Sequence, residues 1–95
     1  MAWARTVFYP GGTEDQYRAV TGEVGEAFEH AEGRTYFAAG PTEGGWIMFM
    51  VWESQEHFQR FAAEHIGPAH QRAGERGWQV QPQVTDFDPQ QVFVS

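Results

Sequence analysis

Residues 46–52 read Trp-Ile-Met-Phe-Met-Val-Trp, seven apolar side chains in succession. In a β-strand successive side chains point to opposite faces, so a strand of this kind needs cover on both. The segment before it, Pro41-Thr42-Glu43-Gly44-Gly45, has the composition of a turn, and Thr35–Ala39 reads as a short strand; together they predict a β-hairpin. Helices of the same chain can shield one face of that hairpin. In 95 residues, which bury only roughly 60–65% of the unfolded surface on folding, the other face is expected to find its cover on a second copy.

Upstream, Trp3, Arg5, Val7 and Tyr9 alternate with Ala4, Thr6 and Phe8 until Pro10-Gly11-Gly12, the pattern of a first strand. Thr13 followed by Gln16 is a capping box, and Glu14 and Asp15 suit the positive end of a helix dipole. Tyr17, Val20, Val24, Ala27, Phe28 and Ala31 then recur at helical spacing. Gly22 and Gly25 weaken that helix, and close packing against their bare backbone is the expected reason for them. Gly33 stops it.

Ser54 is the expected N-cap of a second helix with Phe58, Phe61, Ala62, His65 and Ile66 on one stripe, interrupted at Gly67-Pro68 and continued from Ala69 to Arg76. Trp78, Val80, Pro82 and Val84 lead irregularly into a last strand through Phe87, and Val92-Phe93-Val94 is read as a terminal extension. The order β-α-β-β-α-β over a single domain, residues 1–95, is that of an α+β ferredoxin-like fold: a four-stranded antiparallel sheet with both helices on one face. Trp3, Val7, Tyr9, Trp46, Met48, Met50 and Trp52 are assigned to the open face, which would be too greasy for a monomer. A homodimer, forming a dimeric α/β barrel, is the expectation.

Six Arg and no Lys stand against thirteen acids, a net charge of −7, so nucleic acid and anionic membranes are excluded as partners. There is no Cys, hence no disulfide, thiolate nucleophile or thiolate metal site. No stretch approaches ~18 uninterrupted apolar residues and the first residues lack a signal pattern, so a cytoplasmic protein is expected.

His65, on the stripe with Phe58, Phe61 and Ile66, is placed against the sheet, where burial tunes an imidazole as a general base; a packed histidine bonded to a carbonyl is the alternative. His70 follows the Pro68 break, aimed either at a pocket mouth or at solvent. The histidine spacings and nearby acids assemble no metal site. Tyr17 and Tyr36 are candidate hydrogen-bond donors to a substrate oxygen. Thr6 and Ala4, small residues assigned to the helix-facing side, leave volume for a pocket lined by Thr6, Phe58, Phe61 and Ile66. Arg5, assigned to the dimer face, needs pairing or water; Asp86 and Asp88 are its candidate partners across the interface, and holding a substrate anion is the other reading.

The run Ala39-Gly40-Pro41-Thr42-Glu43-Gly44-Gly45-Trp46, then Val51-Trp52-Glu53-Ser54-Gln55-Glu56-His57-Phe58, Phe61 and Gly67-Pro68-Ala69, resembles the dimeric α/β-barrel superfamily. That group contains the antibiotic biosynthesis monooxygenase family, the heme-degrading monooxygenases and muconolactone isomerase-like proteins, and the likeness spans the chain. Resemblance to the quinone-forming members implies oxygenation of a small aromatic or polyketide-like substrate without metal or flavin, or a related cyclisation or isomerisation, with His65 or His70 as base. Resemblance to the heme-degrading members implies a second-helix His ligand, which His70 approaches, together with a first-strand Asn and a second-helix Trp. This chain has no Asn, and Phe61 holds the Trp position. The expectation is therefore no cofactor, with heme the alternative that His70 keeps open; a non-catalytic ligand-binding or assembly module is the competing function.

Overall fold

The alternation at the N-terminus becomes β1 (Trp3–Pro10), and Gly11, with φ +71°, turns the chain into α1 (Glu14–Val24). The computed structural model describes residues 2–93; Val94 of the expected terminal extension lies outside them. The capping box forms as predicted, Gln16 N–H donating to Thr13 Oγ1 and Thr13 N–H to Gln16 Oε1 at 3.2 and 3.0 Å. The expected single helix is broken at Gly25 (φ +74°), beyond which a short α2 (Glu26–Glu29) carries Phe28. A Cβ on Gly22 or Gly25 would meet nothing within 4 Å, so these glycines do not serve close packing: Gly25 serves the positive φ, and Gly22 borders open space.

After Gly33 (φ +87°) the hairpin follows as β2 (Arg34–Thr42) and β3 (Gly45–Trp52). Its strands are longer than the sequence suggests, since Pro41 and Thr42 pair with Trp46 and Gly45 and leave Glu43-Gly44 to reverse the chain. Pro41 is tolerated in the ladder because β2 is an edge strand. The final strand is β4 (Gln83–Phe87), and the sheet order is β2-β3-β1-β4 with every neighbour antiparallel. This is the ferredoxin-like α+β architecture.

Ser54 caps α3 (Gln55–Phe61). The helix does not stop at Gly67-Pro68. It widens into a π-helical turn (Ala62–Ile66), in which Gly67 N–H donates to the Ala62 carbonyl five residues back, and resumes as α4 (Gly67–Ala73). Pro68 has no N–H and its ring would strike the carbonyl four residues back; the wider turn accommodates both.

Strand register fixes which face is which. Trp3, Arg5, Val7 and Tyr9 pair with Trp52, Met50, Met48 and Trp46, and this set packs against the helices, with Trp3, Val7, Tyr9, Met50 and Trp52 clustered with Phe61. The face assignment from sequence is reversed: Thr6 and Ala4 lie on the open side, opposite Phe49 and Val51. The two large indole-bearing ends of β3 fill the volume beneath the helices better than Ile47 and Phe49 would. The open face exposes Tyr36 (48%), Ile47 (39%) and Phe87 (44%), and residues 89–93 cross it to frame a hollow of about 610 Å³ with Tyr36, Phe49 and Val51.

Candidate functional site

Between sheet and helices lies a cavity of about 160 Å³. Its floor is Arg5, Val7 and Tyr9 of β1 with Met48 and Met50 of β3; α1 contributes Tyr17 and Thr21, the second helical segment Phe58, Ile66 and His70, and Trp78 closes one end. An apolar wall with a few polar groups converging on it is the usual makeup of a small-molecule site.

The π turn decides which histidine reaches it. Ordinary helical spacing puts His65 on the stripe with Phe61, but the extra residue in the turn carries it outward. It packs against the Phe61 ring at 4.9 Å between centroids and borders an outer groove with His30, His57 and Glu64. Downstream the same phase change brings His70 into the cavity wall. Burial alone holds the His70 imidazole below its ordinary 6.5 and keeps it neutral, and hence able to accept a proton, at physiological pH. No cluster of His and acids in the outer groove or elsewhere among the described residues is arranged to hold a metal.

Tyr17, Phe58 and Ile66 line the cavity. Phe61 is buried in the core beside it, against Trp52. Thr6 and Tyr36 belong to the open face and do not reach the cavity, because the parity of β1 and β3 is opposite to that assumed. Burial raises the Tyr9 and Tyr17 phenols above 10.0, so both remain protonated donors. Tyr9, Trp78 and Arg5 are cavity residues that sequence reasoning missed. The signal for the first two was Gly12, where a Cβ would come within 2.9 Å of both the Trp78 ring and the Tyr9 side chain.

Arg5 forms an ion pair with Asp86, Nε to Oδ1 at 2.7 Å and Nη2 to Oδ2 at 3.0 Å. The pair joins neighbouring strands of one sheet, since Arg5 and Asp86 face each other across β1 and β4; it does not cross a subunit interface. Among the described residues, the larger hollow on the open face is lined by no ionisable group except Tyr36, so the chemistry-bearing residues converge on the smaller cavity.

No family model and no curated protein matches this chain. Its fold is shared with solved structures at low identity. A monooxygenase from the ActVA-Orf6 gene of Streptomyces coelicolor, in complex with nanaomycin D, is 19% identical over 99% of this chain and 91% of its own, with a TM-score of 0.67. SnoaB, a cofactor-independent oxygenase from Streptomyces nogalater, is 14% identical over 99% and 97%, TM-score 0.65. A MhuD variant with two manganese protoporphyrin IX bound per active site is 20% identical over the full length of both chains, TM-score 0.66. A dimeric ferredoxin-like protein from Jannaschia sp. is 18% identical over 94% and 100%, TM-score 0.62. The chain thus shares the ferredoxin-like α+β fold of these proteins, one of which is dimeric.

Proposed function

We propose that this ferredoxin-like chain is a cofactor-independent monooxygenase, or a cyclase or isomerase of the same type, acting on a small aromatic or polyketide-like molecule with His70 as base. The observation that carries the reading is an apolar cavity with a single imidazole in its wall, held unprotonated by burial. For oxygenation, a phenol loses its proton to the base and the phenolate gives electrons to dioxygen. One oxygen atom becomes the new ring carbonyl; the other leaves as water with the phenolic hydrogen and the ring hydrogen it displaces. The protein supplies a base, dry walls and donors for the oxygens. The monooxygenase with nanaomycin D and the cofactor-independent oxygenase among its structural neighbours support this class.

Aerobic turnover of 2,6-dimethylphenol, a single ring of the size the cavity admits, tests it, followed by oxygen uptake and quinone absorbance. His70→Ala should slow the reaction about 100-fold, the scale of a lost general base, while His65→Ala, outside the cavity, should not. Uptake no faster than in buffer, or an unaffected His70→Ala, refutes the assignment.

One observation favours a second reading, a binding or assembly module without turnover: about 160 Å³ is below the roughly 300–1,000 Å³ of ordinary ligand sites. An engineered cavity of about 150 Å³ holds benzene, so this one suits a single ring and a tetrapyrrole does not fit. His70 is its only imidazole. Hemin added to the protein should give no Soret shift.

The open face supports a homodimer. Tyr36, Ile47 and Phe87 form an uncovered apolar surface on the side away from the helices, and a self-complementary second copy would remove it.

A further inference from the structure

We propose that the cavity takes its ligand as an anion, an ionised phenol or enol, anchored on the free edge of the Arg5 guanidinium; this rests on the function proposed above and narrows its substrate class. Among the residues lining the cavity, Arg5 alone carries a formal charge at neutral pH, since no Asp or Glu lines it and burial keeps His70 neutral. In a chain of net charge −7, a cavity wall with one cation and no carboxylate is not a consequence of composition.

The donors of Arg5 are only partly spent. A guanidinium has five N–H groups, and Asp86 takes one from Nε and one from Nη2. Both Nη1 hydrogens and the second on Nη2 have no protein partner among the described residues. One hydrogen from each Nη forms the end-on edge, whose geometry suits an oxyanion.

The group is also held still. Asp86 faces it directly across the strand pair, and the Trp3 and Phe58 rings lie 5.0 and 4.6 Å from its central carbon. A fixed guanidinium loses little freedom when it binds. A purely structural ion pair would need neither a place in a cavity wall nor unspent donors, which lose hydrogen-bonding partners wherever the wall is dry. Tyr9, four residues along β1 from Arg5 and on the same face, stays protonated because burial outweighs the Arg5 field, and it adds a phenol donor to the cavity wall. A cavity of about 160 Å³ admits one ring, and a lone phenolic or enolic oxygen on that ring matches one guanidinium edge.

Three single-ring probes separate the possibilities: 4-nitrophenol, its neutral relative nitrobenzene, and 4-nitrobenzoate. Binding is read by quenching of tryptophan fluorescence, and the ionisation of bound 4-nitrophenol by its phenolate absorbance. The expected result is that wild type binds 4-nitrophenol at least 10-fold more tightly than nitrobenzene and holds it ionised below its solution midpoint. Arg5→Met should abolish both the preference and the spectral shift while nitrobenzene binding is unchanged. Asp86→Asn, which frees the cation from its carboxylate, should tighten 4-nitrophenol further and supplies a test that survives if Arg5→Met does not fold.

No binding of 4-nitrophenol to the wild type, equal affinity for nitrobenzene, or an unchanged preference in both variants would overturn the anchor. Tighter binding of 4-nitrobenzoate would overturn the phenol or enol class. A protein that ionises bound 4-nitrophenol yet oxygenates no single-ring phenol refutes the monooxygenase reading and leaves the anion site intact.

Discussion

Trp78 stacks flat on Tyr9, ring centroids 3.9 Å apart and planes 5° from parallel. The contact ties the segment after the last helix to the first strand and closes one end of the cavity. Trp78→Ala removes both the stack and its buried area and should destabilise the fold by about 3 kcal/mol, measured by urea unfolding. Trp78→Phe keeps a ring there and should cost under about 1.5 kcal/mol.

His70 makes stability depend on pH in a definite direction. Its folded-state pKa lies below the 6.5 of the free side chain because burial penalises the cation. As pH falls through 6.5 the unfolded chain takes up a proton that the folded chain refuses, so stability is complete above that value and declines as pH falls toward the folded pKa. Thermal melts from neutral pH down to about one unit below 6.5 should show this decline in wild type and a shallower one in His70→Gln.

Gly22 and Gly25 should respond oppositely to the same substitution. Gly22 has helical backbone and open space where a Cβ would go, so Gly22→Ala should stabilise by up to about 1 kcal/mol. Gly25 has φ +74°, and Gly25→Ala should destabilise by about 1 kcal/mol. Matched denaturation curves decide the pair.

The open face makes a prediction about assembly. Ile47 is 39% exposed on that side, opposite Phe8 of β1. Ile47→Asp should turn a dimer into a folded monomer by light scattering, with an unchanged far-ultraviolet spectrum. A wild type already monomeric in dilute solution would refute the proposed pairing.

Local signals were the legible ones. Thr13 with Gln16, Ser54, and the stop at Gly33 act within a few residues of themselves, and the strand order followed from the succession of elements. Strand parity was not legible, because Trp46, Met48, Met50 and Trp52 alternate with Ile47, Phe49 and Val51 and hydrophobicity cannot separate two greasy faces. That one ambiguity placed Thr6 in the cavity and Arg5 outside it. His65 was misplaced for another reason: a stripe drawn at 3.6 residues per turn assumes an unbroken ladder, and Pro68 changes the winding upstream of itself.

The widened turn at Ala62–Ile66 also sets how the helical segment tolerates change. One residue corresponds to about 100° of rotation around a helix, and here that rotation is stored in the main chain. Side-chain exchanges before the turn alter the core around Phe61, and those after it alter the wall around His70, with little crosstalk in orientation. Loss of a single residue within the turn would tighten it to ordinary α winding and leave the downstream stretch, with its imidazole, facing the ring-sized chamber as before.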